Sequence, residues 1–281
     1  MRLEQARVLS LEEVYANAYL MWLSCPPVAK GAQPGQFLMI HCTDAADEAA
    51  CASDDPLLPR PMSYHRFRPS TGSGQALGGE RQFAILFDVR GRGTAWLARR
   101  RPGDCLCLFG PLGRGFDPSP RARSLLLVAG GLGVAGLAAL ADQAVADGRA
   151  VTLLHGARSA AQLFPARLLP PQVELAVATD DGSAGHQGYV TDLFGQYLPW
   201  ADQVFACGPN PMFQTMAQVM RQAQSRKSVQ VLLEEHMACG TGICYGCAVF
   251  PRRSPKATRL GGGGVRLVCK DGPRFELREV F

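Results

Sequence analysis

Apolar positions along the chain follow two different periodicities. Up to about residue 120 they form short alternating or continuous runs: QFLMIHC (36–42), RPMSYHRF (60–67), ERQFAILFDV (80–89) and DCLCLFG (104–110). Turns bearing Pro and Gly, such as AQPG and RRPGD, separate them, which predicts a small antiparallel β-barrel. A short helix is expected over 94–100, with Thr94 near its N-cap. Segments 43–59 and 68–79 have the composition of surface loops rather than of a core.

From about residue 123 the pattern becomes strand, helix, strand. SLLLVAGG leads into VAGLAALADQAVADG, and AVTLLHGA (150–157), VELAVATDDG (173–182) and DQVFACG (202–208) follow, with a helix over 210–224. That βαβ series predicts a parallel sheet. Beyond VQVLLEE the chain turns Cys- and Gly-rich. The expected organisation is a β-barrel plus α/β: a barrel over 1–120, a parallel α/β domain over 121–232 and a small C-terminal module over 233–281. The uncharged stretch 125–141 is short for a membrane span of about 20 residues. It also holds Gly130, Gly131, Gly133 and Gly136, so it reads as buried strand, turn and helix.

Composition narrows the class. A hydrophobic share of 47% over 281 residues supports real cores, and a mean hydropathy of −0.00 excludes a membrane-embedded or disordered chain. The net charge of +5 is spread along the chain and argues little for nucleic acid. Arg2, Glu4, Arg7, Glu12 and Glu13 leave no secretory apolar region, so a cytoplasmic setting is expected. In that reducing setting, ten cysteines point to metal or catalysis more than to disulfides.

Four of them have a defined spacing. Cys239, Cys244, Cys247 and Cys269 read C-x4-C-x2-C and then, after twenty-one residues, C. This is the plant-type spacing for a [2Fe–2S] cluster, and Gly240, Gly242 and Gly246 let backbone N–H groups approach the sulfurs. A four-cysteine zinc site is the competing reading, but such sites usually come as two short pairs. The remaining cysteines, Cys207 apart, are expected to be small core residues; Cys105 and Cys107 alternate with Leu on a strand.

Gly130-Gly-Leu-Gly133 lies between a strand and a helix, where backbone amides bind phosphate and glycine allows close approach. A packing turn would look the same. Arg60-Pro-Met-Ser63 could pair a phosphate and bond a heterocycle, or be a surface Arg before a turn. Gly93-Thr94 is open in the same way. The five histidines form no metal-binding pattern and read as loop or core residues.

In chain order, RPMS, GRGT, GPLG (110–113), GGLGVA (130–135), TDDGS (179–183), GYVTDLF (188–194), CGPNPM (207–212) and EEHMACGTGICYGC together resemble the ferredoxin–NADP reductase superfamily over nearly the whole chain. The tail VCKDGPRF (268–275) is similar to the iron–sulfur flavoprotein electron-transfer subunits of NAD-dependent dihydroorotate dehydrogenase B. The resemblance implies an oxidoreductase with FAD, a [2Fe–2S] cluster and NAD as cosubstrate. Arg60, Pro61, Met62 and Ser63 match the FAD motif, with Arg60 on the pyrophosphate and Ser63 near the flavin ring. Leu86, Phe87, Asp88, Gly93 and Thr94 match further FAD contacts. Gly131 and Gly133 match the NAD pyrophosphate turn. Cys207, followed by Gly208 and Pro209, falls beside nicotinamide and flavin, so Cys207 and Ser63 are the candidate catalytic residues. Three departures stand out: Met62 replaces a Tyr often stacked on the flavin, Gly136 replaces a Pro, which should loosen the nucleotide turn, and 251–266 before the last cysteine carries four consecutive glycines and many basic residues, as a mobile surface loop or a partner contact would.

The same resemblance implies a partner, an FMN-containing dihydroorotate dehydrogenase catalytic subunit, in a heterotetramer of two plus two. Electrons would pass from FMN through the cluster and FAD to NAD+ in pyrimidine (UMP) biosynthesis, with no nucleic acid or membrane span involved. A hydride carries two electrons and the cluster takes one at a time, and a flavin bridges the two. The alternatives are an iron–sulfur flavoprotein subunit of a sulfhydrogenase, a ferredoxin:NADP oxidoreductase, or, in another class, a non-catalytic zinc-stabilised adaptor.

Overall fold

The computed structural model describes residues 2–43, 56–69, 81–251 and 264–281; most of the segments read as surface loops, and Cys51, lie outside the described residues. The chain opens with a hairpin, β1 (Glu4–Tyr15) and β2 (Ala18–Ser24), turned at Asn17 with φ 64°. The apolar pattern alone misses this hairpin, because the exposed Arg7, Glu12 and Glu13 and the partly exposed Glu4 break up its apolar run. After a short helix α1 (Pro26–Ala29) come β3 (Phe37–Ile40), β4 (Arg60–Ser63), β5 (Arg66–Pro69) and β6 (Arg81–Asp88). Helix α2 (Arg92–Leu97) and β7 (Cys105–Leu112) complete this half.

These seven strands form one antiparallel sheet in the order β4-β3-β7-β1-β2-β6-β5. Its two edge strands, β4 and β5, are consecutive, with only Tyr64 and His65 between them. Two edges joined by two residues must meet, so the sheet curls into a barrel. Leu38, Ile40, Tyr64, Phe83 and Ile85 fill it, and the Tyr64 hydroxyl donates to the Val28 carbonyl at 2.9 Å.

The second half follows the predicted alternation: β8 (Ser124–Gly130), α3 (Val134–Ala146), β9 (Ala150–Ala157), β10 (Val173–Thr179), β11 (His186–Gln187), α4 (Val190–Tyr197), β12 (Gln203–Cys207), α5 (Asn210–Gln222) and β13 (Val229–Leu232). The pairs β10–β9, β8–β9, β12–β8 and β12–β13 are parallel. The last turn of chain adds β14 (Ala248–Val249), β15 (Arg266–Leu267), α6 (Val268–Asp271), β16 (Arg274–Glu276) and α7 (Leu277–Val280). β16 pairs antiparallel with β13, so the tail from Arg274 extends the α/β sheet across the expected boundary near residue 232.

Of three cores, two tie the halves together. One fills the barrel. A second joins Leu20 and Leu86 of the barrel to Leu137 and Leu140 of α3 and to Leu125 and Leu127 of β8. The third, on the other sheet face, joins Met39 and Leu112 of the barrel to Phe213 of α5 and to Cys247, Val268 and Cys269 of the tail. Burial of this kind contributes about 25 cal/mol per Å² of apolar surface, so no part is free to drift. The connection after β7 is also strapped in place. Buried Gln230 exchanges two 2.9 Å hydrogen bonds with the Asp117 backbone, and Gln203 accepts from the Ser119 N–H at 2.8 Å.

Candidate functional site

β4 brings Arg60, Pro61, Met62 and Ser63 to the barrel edge. Alternation turns Met62 into the barrel core and leaves Ser63 on the other face, so Met62 packs the barrel rather than covering the Ser63 side. Arg60 lies over the start of α2. A Cβ on Gly93 would stand 2.7 Å from Arg60 Nε, so the guanidinium fits there only because that residue is glycine. Thr94 is the third helical residue and Gly91 the cap; the Thr94 hydroxyl accepts from the Arg90 N–H at 2.9 Å and the Gly91 N–H at 3.2 Å. An arginine laid against a glycine-opened helix start suits a phosphate group.

Leu86 and Phe87 point into different cores, Leu86 toward α3 and Phe87 into the barrel, stacked on Tyr19 at 5.8 Å. Asp88 ends β6 and accepts from Arg90 Nε at 2.9 and 2.8 Å.

The two halves meet at Ser63, Gly136 and Cys207. A Cβ on Gly136 would lie 3.5 Å from Cys207 Sγ and 3.7 Å from Ser63 Oγ, and 2.7 Å from Leu232. Gly136 therefore does not loosen the nucleotide turn: it is buried in the first turn of α3, and its bare side makes room where the other two side chains converge. The Cys207 thiol donates to Glu234 Oε1 at 3.8 Å. Burial, reinforced by the Glu234 charge, holds that thiol protonated, well above its ordinary value. Glu234 opens to solvent on one side and is crowded by protein on the others; that crowding raises its carboxyl, against the hydrogen bond from Cys207. Glu234 escaped the sequence reading, although a carboxylate two residues after a fully buried strand is a signal that could have found it.

The glycine turn also forms as expected. β8 runs into a single turn of 3₁₀-helix at Gly131–Gly133 and then α3. A Cβ on Gly133 would overlap the Cys207 carbonyl, and one on Gly130 would stand 2.8 Å from Pro209. One on Gly208 would stand 3.0 Å from the Gly130 nitrogen, so the 130–133 and 207–209 turns interlock through their backbones.

The four spaced cysteines come together in the tail as two pairs. Cys239 neighbours Cys244 and Cys247 neighbours Cys269, and among the described residues no three potential ligands converge on a single point. Two thiols for each of two centres suits a two-iron cluster better than one zinc ion with four ligands. Backbone amides already face the sulfurs at 3.4 Å: Thr241 N–H to Cys239, Gly246 N–H to Cys244 and Cys269 N–H to Cys247. Gly240 and Gly242 have φ of 66° and 84°, the left-handed geometry such a wrapping loop needs. Cys247 and Cys269 are buried, Cys239 is half-buried and Cys244 is exposed. Of the cysteines expected in cores, Cys25 and Cys42 are buried, but Cys105 is exposed, because it begins β7 on the solvated side.

One contact links this loop to the barrel. A Cβ on Gly240 would stand 2.8 Å from Met39 and 3.2 Å from Leu112. Met39 pairs across the ladder with Pro61, so a single residue separates the cluster loop from the RPMS strand.

An antiparallel barrel joined at a Ser–Cys crease to a parallel α/β sheet is the ferredoxin–NADP reductase fold. Solved relatives bear this out. The chain aligns over its full length with the NADH-dependent reduced ferredoxin–NADP oxidoreductase, covering 90% of that chain at TM-score 0.76 and 26% identity. A ferredoxin NADP+ reductase from Neisseria gonorrhoeae, solved with FAD and NADP, shares the fold at TM-score 0.58 and 16% identity, over 79% of this chain and 92% of that one. Residues 234–281 match the family described as the iron–sulfur cluster binding domain of dihydroorotate dehydrogenase B. Proteins named dihydroorotate dehydrogenase B (NAD(+)), electron transfer subunit, from Desulforamulus reducens and Geobacillus thermodenitrificans are 33% and 35% identical, over 98% and 99% of this chain and 97% and 98% of theirs. The chain belongs to the family of dihydroorotate dehydrogenase B electron transfer subunits.

Proposed function

We propose that this chain relays electrons from an FMN-containing dihydroorotate dehydrogenase catalytic subunit to NAD+, in the cytoplasmic synthesis of pyrimidines. The observation that carries this reading is the convergence of Ser63, Gly136 and Cys207 at the crease, with the cysteine-rich loop one residue away on Met39. When bound, the flavin exchanges a hydride with nicotinamide and single electrons with the [2Fe–2S] cluster.

The chain's own residues divide the remaining work. Arg60, Gly93 and Thr94 bind the FAD pyrophosphate, and Pro61, Met62, Leu86, Phe87 and Asp88 shape the barrel side of its site. Ser63 and Cys207 line the hydride-transfer face, with Glu234 holding the Cys207 thiol in one orientation at 3.8 Å. Gly131, Gly133, Gly208 and Pro209 form the backbone bed for NAD. Cys239, Cys244, Cys247 and Cys269 hold the cluster. In this reading residues 1–120, 121–232 and 233–281 serve FAD, NAD and cluster in turn.

Partner contact falls to the cluster end. Ile243 and Phe250 are 80% and 74% exposed there, and Tyr245 is exposed between them. Exposed apolar side chains this near in sequence to Cys244 and Cys247 favour docking of the catalytic subunit there, in an assembly of two plus two. No helix among the described residues is long and apolar enough to cross a membrane.

The test is to purify the FAD- and cluster-loaded chain alone. It should reduce ferricyanide with NADH and show no oxidation of dihydroorotate until the catalytic subunit is added. Dihydroorotate turnover by the isolated chain would sink this reading.

A further inference from the structure

Two buried histidines lie behind the glycine turn, and the chemistry above uses neither. His65, in the two-residue link between β4 and β5, has its Nδ1 at 3.1 Å from the Ala135 carbonyl. A carbonyl only accepts, so Nδ1 carries the ring proton; Nε2 is bare and has no hydrogen-bond partner. His155, on β9, has its Nε2 at 3.1 Å from the Gly131 carbonyl, while its Nδ1 accepts from the Phe164 N–H at 3.4 Å. It is therefore the opposite tautomer. The Phe164 ring stands edge-on to His65, with centroids 5.4 Å apart, so the two imidazoles and Phe164 form one packed unit.

The placement of these bonds matters for the turn. Gly131 has φ 54° and open space around its missing side chain, so nothing steric stops its peptide from rotating. A bond to its carbonyl removes that freedom. Carbonyls drawn back into the protein leave the amides of the turn facing outward, the direction an anion approaches. One of the two anchors comes from the barrel and the other from the α/β sheet.

We propose that His65 and His155 are positioning residues acting through opposite tautomers, His155 pinning the Gly131 peptide of the turn and His65 the first turn of α3 that follows it, so that the amides there are preset for a dinucleotide pyrophosphate and the turn is keyed to the flavin barrel. This rests on the reading of that turn as the NAD site. Burial keeps both rings neutral, with the Arg66 charge adding to it at His65: His65 is pushed down to about 3 and His155 to about 4. The donor pattern therefore persists through neutral pH.

The experiment uses the FAD- and cluster-loaded chain with NADH and ferricyanide. His155→Leu and His65→Leu each remove one donor and should raise the KM for NADH about tenfold, the weight of one buried hydrogen bond, with kcat moving less than about twofold. His155→Gln puts an amide N–H where Nε2 was, and His65→Asn puts one where Nδ1 was; both should recover most of the loss. A purely structural role would lower melting temperature and kcat together, with no rescue specific to Gln or Asn, and that result overturns the proposal. Gly131→Asp separates the underlying reading, since a carboxylate there repels phosphate. An unchanged KM in Gly131→Asp refutes the NAD-site assignment, whereas a raised KM with unaffected leucine variants refutes the histidine pair alone. Should the leucine variants not fold, nitrogen NMR of the wild-type chain decides the matter. Protonated Nδ1 on His65 and protonated Nε2 on His155 are expected, and any other pair of tautomers overturns the proposal.

Discussion

Two glycine-rich loops serve this molecule, and they are built in opposite ways. The 130–133 turn is packed at both ends by the protein: Pro209 and Met212 press on Gly130 and the Cys207 carbonyl on Gly133, while His155 holds the Gly131 carbonyl and His65 the Ala135 carbonyl at the start of α3. The 239–247 loop rests on Met39, Leu112, Leu267 and Lys270 at its glycines and buries Cys247, but it leaves Ile243, Cys244 and Tyr245 exposed. A cosubstrate that comes and goes needs a bed finished before it arrives. A permanently held cluster organises its own loop through its ligands, so the protein can leave that loop near the surface where a partner reaches it. Preorganisation by packing and preorganisation by coordination are thus separated by only a few residues of barrel.

The largest test of this contrast is to remove a ligand. Cys269→Ser should abolish the cluster's visible absorption and its iron content while leaving bound flavin and NADH–ferricyanide turnover in place, because the glycine turn does not depend on the cluster. Loss of flavin along with iron would mean that the two regions are not separable. Gly133→Ala probes the other loop. Its methyl group meets the Cys207 carbonyl backbone, which cannot yield as a side chain can, so a destabilisation of about 3 kcal/mol or more is expected in a urea titration, with NADH turnover lost.

Gly240→Ala should do less. A left-handed alanine costs about 1–2 kcal/mol, and the methyl group displaces the flexible Met39 side chain rather than backbone. The expected signature is slower cluster reduction by NADH in stopped flow, with the ferricyanide rate retained.

A separate test is acid stability. His65 and His155 titrate near 3 and 4 in the fold and near 6.5 when unfolded. Below about pH 6.5 the unfolded chain takes up protons that the native one refuses, so stability falls as pH drops from about 6.5 toward 4. Melting temperature measured from pH 7 down to 4 should decline less steeply in His155→Gln than in wild type. Equal slopes would mean that this histidine is not held neutral.

Much of the cluster site could be read in advance, because C-x4-C-x2-C sets ligand spacing within one short loop and needs no long-range contact to be recognised. The glycine turn was legible for the same reason, being bounded by a buried strand and a buried helix. Glu234, His65 and His155 were not. Each gains its meaning from a residue far along the chain: Cys207 for Glu234, Ala135 for His65 and Gly131 for His155. The N-terminal hairpin was hidden for a different reason, since its exposed positions carry charges that break up the apolar run. Gly136 was misplaced because a loop and the first turn of a helix look alike in one dimension.

Local chemistry therefore determined the barrel-then-α/β order, the four-cysteine spacing and the two glycine-opened turns, since period, spacing and glycine position act over a few residues. Only the tertiary structure decided what these parts do to one another. Curling of the barrel edges at Tyr64 and His65 brings Ser63 to Cys207, puts His65 behind a turn in the other half, and lets Gly240 rest on Met39. The physical reason is that a sheet joined edge to edge by two residues has only one way to close, and that closure sets every distance across the crease.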